Sequence, residues 1–265
     1  MMRALYTASS GMAAQQFNLD TISNNLANVN TTGFKKNRVE FSDLLYETLQ
    51  KGAAKDVDGK PVNIQVGHGV KFSSTAKVFT VGNMSQTTNP LDVALDGDGF
   101  FKVMDNLGSP AYTRDGAFKI SISGDVANLV TSEGYLVQSS DGGPIELPPT
   151  AKDINISSTG ILSYKDETGT SIEAGKIGLF RFANPSGLLN QGQNLLKETD
   201  ISGVATDTQN DGTGGNVLQG YLEMSNVQVV EEMVKLIEAQ RAYEINSKSI
   251  QTADEMLQTA NNMRR

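Results

Sequence analysis

The chain of 265 residues contains no cysteine and no tryptophan, and histidine occurs once. Without cysteine it cannot form disulfides, a thiolate nucleophile or a cysteine-based zinc site. No run of about 18 apolar residues occurs, so the sequence predicts no membrane-spanning helix. The first residues, MMRALYTASSGMAAQQ, carry one arginine and no continuous apolar segment, so they do not predict a secretory signal peptide.

The chain also has fewer basic residues than acidic ones. The formal net charge is −8, which argues against a nucleic-acid partner because such proteins usually present a basic stripe. His68 lies between two glycines with no carboxylate or imidazole close in sequence, which favours a loop residue over a catalytic one. Asp92, Asp96 and Asp98 lack the order of a calcium loop and are better explained by turns. We therefore predict no catalytic residue, no metal and no cofactor, although a carboxylate pair for glycan cleavage stays open.

The most regular pattern lies at the C-terminal end, over residues 227–263. No proline or glycine interrupts it. Bulky side chains recur every seven residues, and a column of mostly small side chains follows them by three, so the pattern predicts a long amphipathic helix. The bulky column is Leu236, Tyr243, Ile250 and Leu257, and the small column is Ala239, Asn246, Ala253 and Ala260.

The N-terminal end repeats this pattern and predicts a second helix. Its two columns are Leu5, Met12, Leu19 and Leu26, and Ala8, Gln15, Ile22 and Val29. Gly11 lies inside this helix, as a close-packing site or a flexible point. Narrow apolar stripes need a partner helix, so we expect the two helices to pair as an antiparallel coiled coil. Two ordinary core helices of a globular domain are the alternative.

Several asparagines stand at the end of the first helix, where asparagine is a poor interior residue. Asn24, Asn25 and Asn28 indicate either a helix that frays into a loop or amides that bond to neighbouring subunits, because an amide both donates and accepts hydrogen bonds. The sequence alone does not separate these two interpretations.

The middle of the chain is predicted to be mostly β-structure. Residues 34–50 have apolar side chains at helical spacing and predict one short helix, and residues 51–61 predict an exposed loop or arm. From residue 70 to 220, short alternating runs separated by Asp-Gly and similar turns predict an antiparallel β domain. A hairpin turning at residues 96–99 is part of that prediction, and a glycine-rich linker follows at 209–216.

Four motifs resemble those of bacterial flagellar basal-body rod and hook proteins, the axial family. Two of them are terminal: SSGMAAQQFNLDTISNNLANVNTTGFKKNRVEF (9–41) and GYLEMSNVQVVEEMVKLIEAQRAYEINSKSIQTADEM (220–256). Two are central: LDGDGFF (95–101) and YTRDGAF (112–118). LLYETL followed by IQVGHGV is similar to the insertion of the family's distal-rod member.

The resemblance implies a structural subunit of the distal rod, which assembles helically into a hollow, torque-transmitting shaft. The terminal helices would form an inner layer, and the segment after the first helix would run as an arm between neighbours. Implied partners are further copies of the chain, proximal-rod and hook subunits, surrounding ring or bushing proteins and the flagellar export apparatus. The implied location is the basal body outside the cytoplasmic membrane, in the periplasm or cell wall, after export without a cleaved signal. Another axial subunit, or a rod-associated peptidoglycan hydrolase, is the alternative.

We therefore expect an α+β fold in which a terminal coiled-coil domain (1–33 and 223–265) and an extended arm (34–75) accompany a β-rich outer domain (76–222). Assembly would order the terminal helices, because their stripes lack partners in a single copy. The residues expected at the assembly interface are Leu5, Met12, Leu19, Ile22, Leu26, Asn24, Asn25, Asn28, Leu236, Ala239, Tyr243, Ile250, Ala253, Leu257 and Ala260.

Overall fold

The structure, a computed structural model, divides into two compact units. The helical unit comprises Met1–Ala27, Asn37–Ala76 and Gln228–Arg265, and the β unit comprises Asn28–Lys36 and Lys77–Val227. The described residues are 2–50, 63–105, 108–124, 126–149, 151–166, 169–208 and 215–263. The loop expected at 51–61 and most of the linker expected at 209–216 lie outside them.

Two long helices pack against each other in the helical unit. They are α1 (Met2–Ala27) and α2 (Val229–Met263). Gly11 of α1 lies against Asn246 of α2, where an added β-carbon would come within 2.9 Å of the Asn246 Nδ2 atom. Asn25 contacts Glu232, so the helices run antiparallel. The described residues contain no helix whose apolar stretch is long enough to cross a lipid bilayer.

The predicted coiled coil is wrong, although the α+β class is supported by one N-terminal helix, one C-terminal helix and a large β unit. A coiled coil buries its bulky column as knobs. Here no residue of the two bulky columns that begin at Leu5 and Leu236 is fully buried, and Tyr243 is 38% exposed. Apart from Ile22, the buried side chains of the two helices are small or polar, and the bulky columns stay partly in solvent. The buried residues of the two helices are Ala8, Ala14, Ile22, Asn25, Glu232, Ala239 and Ala253.

The segment after α1 forms a ribbon of paired strands instead of the predicted short helix. Its strands are β1 (Asn37–Asp43), β2 (Tyr46–Gln50), β3 (Ile64–Gly67) and β4 (Val70–Lys77), with β1 paired to β4 and β2 to β3. The helix prediction failed because ladder hydrogen bonds from strands distant in sequence override local propensity. Phe17 of α1 stacks on Phe72 of β4 with 5.2 Å between ring centroids.

In the described part of the β unit, seventeen further strands are joined in antiparallel pairs. They are β5 (Met84–Gln86), β6 (Val93–Asp96), β7 (Phe100–Met104), β8 (Pro110–Thr113), β9 (Lys119–Ser123), β10 (Val126–Val130), β11 (Leu136–Val137), β12 (Glu146–Leu147), β13 (Lys152–Ile156), β14 (Ile161–Lys165), β15 (Ser171–Lys176), β16 (Leu179–Arg181), β17 (Leu189–Gly192), β18 (Leu195–Lys197), β19 (Thr206–Asp207), β20 (Asn216–Gln219) and β21 (Tyr221–Glu223). A 3-10 turn, Pro185–Gly187, precedes β17.

The largest sheet joins ten of these strands. Its main path runs β12-β10-β11-β7-β8-β18-β17, while β9 pairs with β10, β16 with β7 and β19 with β16. A three-stranded sheet, β13-β14-β15, and the pairs β6–β20 and β5–β21 complete the unit. Inward-facing side chains such as Phe101, Leu129 and Ile177 are fully buried in its main core. A smaller aromatic cluster has Tyr112 edge-on to Phe182, with 4.8 Å between centroids.

The hairpin predicted at residues 96–99 is wrong. β6 pairs with β20, and β7 pairs with β8, β11 and β16, so the turn carries the chain from one sheet to another. Gly97 has φ 126° and Gly99 has φ 146°, values that favour glycine. A β-carbon at Gly97 would lie 2.8 Å from the Gly215 Cα atom. The sequence therefore predicts the turn at residues 96–99 correctly. It does not predict that β6 pairs with β20, because β20 lies more than a hundred residues further along the chain and no local pattern indicates it.

Replacing Ala239 by leucine tests the small-residue contact between α1 and α2. Ala239 is buried, so the larger side chain should force the helices apart and destabilise their pairing by about 1–3 kcal/mol. Ala260 belongs to the same column but is exposed, and Ala260→Leu should change stability by less than about 0.5 kcal/mol. Urea unfolding followed by far-UV circular dichroism measures both, and equal effects would contradict the contact.

Candidate assembly interface

The part of the chain that the structure describes contains no group of side chains typical of a metal centre. Among the described residues, no three or more histidine, aspartate and glutamate side chains converge as metal ligands would. His68 lies in the helical unit with its Nε2 atom 3.8 Å from a Glu47 carboxylate oxygen, and Arg3 approaches the same oxygen at 2.6 Å. All three side chains are well exposed, so they form a solvated ion cluster of modest energy.

The residues expected at the assembly interface fall into three groups by exposure. Four are buried within the subunit: Ile22, Asn25, Ala239 and Ala253. Eight are half-buried: Leu5, Met12, Leu19, Leu26, Asn28, Leu236, Ile250 and Leu257. Asn24, Tyr243 and Ala260 are exposed. The four buried members all belong to the helical unit, whereas the half-buried Asn28 belongs to the β unit.

Asn25 uses its amide inside the chain. Its Nδ2 atom donates to the Asn37 carbonyl oxygen at 2.9 Å and to Glu232 Oε2 at 3.3 Å, and its Oδ1 atom accepts the Asn37 N–H at 2.9 Å. Glu232 is itself buried and accepts a hydrogen bond from Lys235 at 2.7 Å. This pair therefore joins the end of α1, the start of β1 and the first turns of α2.

An exposed apolar surface on α2 was missed by the heptad analysis. Val230, Met233, Val234 and Ile237, here called the outer α2 face, are 47–75% exposed. With about 3.6 residues per turn, they lie on the side of α2 opposite Glu232 and Ala239. Clustered apolar side chains on a surface mark an interaction site. The available signal was the segment VVEEMVKLIEA, which is apolar on more than one helical face.

Three charged side chains meet in the interior of the β unit. The buried charge cluster consists of Lys35, Arg114 and Glu223, each at most 3% exposed. Lys35 Nζ lies 2.5 Å from Glu223 Oε1, which also accepts the Gly82 N–H at 2.9 Å. Arg114 Nη1 lies 3.5 Å from Glu223 Oε2. Two cations therefore share one carboxylate.

Burial and ion pairing shift the pKa values of the two cations of the cluster in opposite directions. Burial lowers the pKa of Lys35, and the Glu223 carboxylate opposes that change. Burial likewise lowers the pKa of Arg114, again against the influence of Glu223. Further acceptors compensate for lost hydration: Lys35 donates to the Thr80 carbonyl at 2.7 Å, and Arg114 donates to the Gly97 carbonyl at 2.7 Å.

The cluster ties together three chain segments of the β unit. Gly33 N donates to the Glu223 carbonyl at 2.8 Å, and Lys36 N donates to Asn226 Oδ1 at 2.8 Å. Asn226 Nδ2 donates in turn to the Val78 carbonyl at 2.8 Å. In sequence these segments follow α1 and precede α2. Nothing in the sequence distinguished Lys35 and Glu223 from ordinary surface charges, so this element was not predicted.

The loss of stability caused by a substitution in the cluster should depend on the charge that it leaves unpaired. Glu223→Gln leaves two buried cations without a counter-charge and should destabilise the β unit by about 3–5 kcal/mol. Lys35→Met leaves Arg114 and Glu223 as a balanced pair, so we expect a smaller loss of about 1–3 kcal/mol. Lys165→Met removes an exposed partner of Asp153 and should cost less than about 1 kcal/mol. Urea unfolding followed by near-UV circular dichroism of the tyrosines tests this order, and a larger loss for Lys35→Met than for Glu223→Gln would contradict it.

Comparison with known proteins gives matches along the whole chain. Residues 5–35 match the family described as flagella basal body rod protein, and residues 94–164 match the flagellar hook protein FlgE/F/G D1 domain. Residues 218–263 match the flagellar basal body rod FlgEFG protein C-terminal family. These matches confirm the resemblance carried by the terminal and central motifs.

Individual relatives align over full length. The flagellar basal-body rod protein FlgG of Borreliella burgdorferi is 51% identical over 100% of both chains. The FlgG protein of Bacillus subtilis is 40% identical over 100% of both chains, and the flagellar hook-basal body complex protein FlhP of the same organism is 33% identical over the same extent. With such identity along its entire length, the chain belongs to the family of flagellar basal-body rod proteins.

Proposed function

We propose that this chain is a structural subunit of the distal rod of the bacterial flagellum, and that its copies assemble helically into a hollow shaft that transmits torque. The outer α2 face carries the proposal, because it presents an exposed apolar surface in a chain of the rod-protein family. Identity to the Bacillus subtilis FlgG protein exceeds identity to FlhP of that organism, which favours this assignment over another axial subunit.

A rod-shaped polymer requires a contact between subunits that repeats along the rod without closing into a ring. When a surface of one copy binds a different surface of the next copy, the contacts generate a helical filament unless the rotation closes a ring. The outer α2 face supplies one such surface, because its apolar side chains gain free energy when a neighbouring copy removes them from water. The half-buried columns beginning at Leu5 and Leu236 offer further area that neighbours would cover.

The expected partners and location follow from that role. We propose contacts with further copies, with proximal-rod and hook subunits and with surrounding ring or bushing proteins, after passage through the flagellar export apparatus. The site of action would be the basal body outside the cytoplasmic membrane.

Asp115 is also consistent with a structural role. Burial raises the pKa of its carboxyl group, as is common for catalytic carboxylates. Its Oδ1 atom, however, accepts the Ala117 N–H at 3.1 Å, so the side chain stabilises the turn before β9.

A charge placed on the outer α2 face should prevent polymer formation. Ile237→Asp would require burial of an unpaired carboxylate in every subunit contact, which costs several kcal/mol, so we expect no filaments in negative-stain images and a monomer in sedimentation velocity. Ile201→Asp, the same substitution at an isoleucine of the β unit that is 75% exposed, should still polymerise. Filaments of normal length from Ile237→Asp would exclude this face from the interface.

Assembly should also increase helical structure. Few side chains of α1 and α2 are buried in a single copy, and long helices gain most of their stability from packing. We therefore expect lower helix content per residue by far-UV circular dichroism in monomer than in polymer. The non-assembling Ile237→Asp chain, at matched concentration, should keep the monomer value. Equal helicity of monomer and polymer would contradict coupled ordering.

A further inference from the structure

Sulfur occurs in this chain only as the thioether of methionine. The sequence contains nine methionines and no cysteine, so no thiol competes for an oxidant within the molecule. Oxidation converts a methionine side chain from an apolar thioether to a polar sulfoxide. Four methionines of the described part are 51–78% exposed: Met2, Met233, Met256 and Met263.

Met233 is part of the outer α2 face and has only aliphatic neighbours there. Residues three and four places apart are neighbours on a helix surface, and for Met233 these are Val229, Val230, Leu236 and Ile237. Val230 and Ile237 are 75% and 47% exposed. All four side chains are aliphatic, so none of them can donate a hydrogen bond to an oxygen placed on the Met233 sulfur.

Met256 offers a comparison on the same helix, because it is 55% exposed and Met233 is 51% exposed. At 3.6 residues per turn, Met256 lies roughly 140° around the helix axis from Met233. Its neighbours three and four places away are two threonines and two alanines: Thr252, Ala253, Thr259 and Ala260. The two methionines are therefore similarly accessible, but only Met233 has bulky aliphatic side chains in all four neighbouring positions.

We propose that Met233 is an oxidation-sensitive site: hydrogen peroxide converts its thioether to a sulfoxide in the free subunit, and the modified subunit no longer enters the polymer. A lone pair of the Met233 sulfur attacks one peroxide oxygen, so an S–O bond forms as the O–O bond breaks. The departing hydroxide takes the proton of the transferred hydroxyl and leaves as water. Sulfur is thereby oxidised by two electrons and the peroxide is reduced. The inference rests on the assembly role proposed above, in which the outer α2 face contacts a neighbouring copy.

A sulfoxide on this face opposes assembly because association removes it from water. In the free subunit the S–O group is hydrated, since Met233 is exposed. In a subunit contact it loses that water beside aliphatic neighbours that cannot replace its hydrogen bonds, and burial of a polar group without a partner is unfavourable. The same contact shields the unmodified thioether from peroxide. Oxidation therefore acts on subunits before they assemble, and a completed polymer is protected.

Peroxide treatment of leucine variants tests the site. Leucine has nearly the volume of methionine, so the exchange is well tolerated, and it has no sulfur to oxidise. Free subunits are treated with hydrogen peroxide, quenched and then polymerised, and peptide mass spectrometry locates the added oxygen. We expect treatment to raise the critical concentration at least about tenfold for the unsubstituted chain and for Met256→Leu, but less than about threefold for Met233→Leu. Methionine sulfoxide reductases for both epimers should restore polymerisation of the treated, unsubstituted chain.

A glutamine at position 233 introduces a polar group without any oxidant. Met233→Gln should raise the critical concentration at least about tenfold relative to Met233→Leu, because its amide also loses water without gaining hydrogen-bond partners. Met256→Gln compared with Met256→Leu is the matched control, and these two variants should differ less than about threefold. Far-UV circular dichroism and thermal unfolding of the free subunits check that all four variants retain the fold.

The possible outcomes separate this inference from the proposed function. Met233 is not the sensitive site if treated Met233→Leu polymerises as poorly as the treated, unsubstituted chain, or if treatment leaves Met233 unmodified. Equal losses for Met233→Gln and Met256→Gln would also overturn the inference. In these cases polymers of the untreated chain still support rod assembly. Oxidation of Met233 in finished polymers as fast as in free subunits would exclude the outer α2 face from the interface, and absence of polymers from the untreated, unsubstituted chain would overturn both proposals.

Discussion

One buried carboxylate is the shared ion-pair partner of two buried cations at the place where the β unit begins and ends in sequence. Glu223 is bound by Lys35 and faces Arg114, and none of the three has appreciable contact with water. Removing charges from water is expensive, so such a cluster persists only where geometry and additional hydrogen bonds compensate. The additional hydrogen bonds here come from Thr80 and Gly82, which lie on one segment, and from Gly97 on another. Through these contacts the buried charges link segments that are far apart in the sequence.

In the helical unit, the contact between α1 and α2 leaves apolar side chains of α2 exposed to solvent. Alanines and the Asn25–Glu232 pair occupy the contact between α1 and α2. Their small or polar side chains bury little apolar area, so the free energy of pairing within one copy is modest. Apolar side chains such as Val230 and Ile237 stay in solvent. Under the proposed function, neighbouring copies would cover this surface and add to the stability of the helices.

The sequence predicted those elements whose residues follow a local periodic pattern. The spacing of Leu5 and Leu236 with their heptad successors located both helices, and alternating runs with turns located the β-rich region. Partner choice was not predicted: the strands over residues 37–50 and the crossover at Gly97 depend on pairing with distant segments. The interface was predicted from one helical stripe, whereas the exposed face around Val234 lies on another. Lys35 and Glu223 have no local pattern, because burial of a charge depends on what the rest of the chain places around it.

The pairing of β6 with β20 and of β5 with β21 has a consequence for when the β unit can form. These pairs join residues 84–96 to residues 216–223, so the strands that close the unit come near the end of the chain. Closing so long a loop carries an entropic cost before any contact compensates for it, and folds of high contact order form slowly. A chain that is still being synthesised lacks β20 and β21 until residues 216–223 have been made. Completion of the β unit is thereby postponed until that stage.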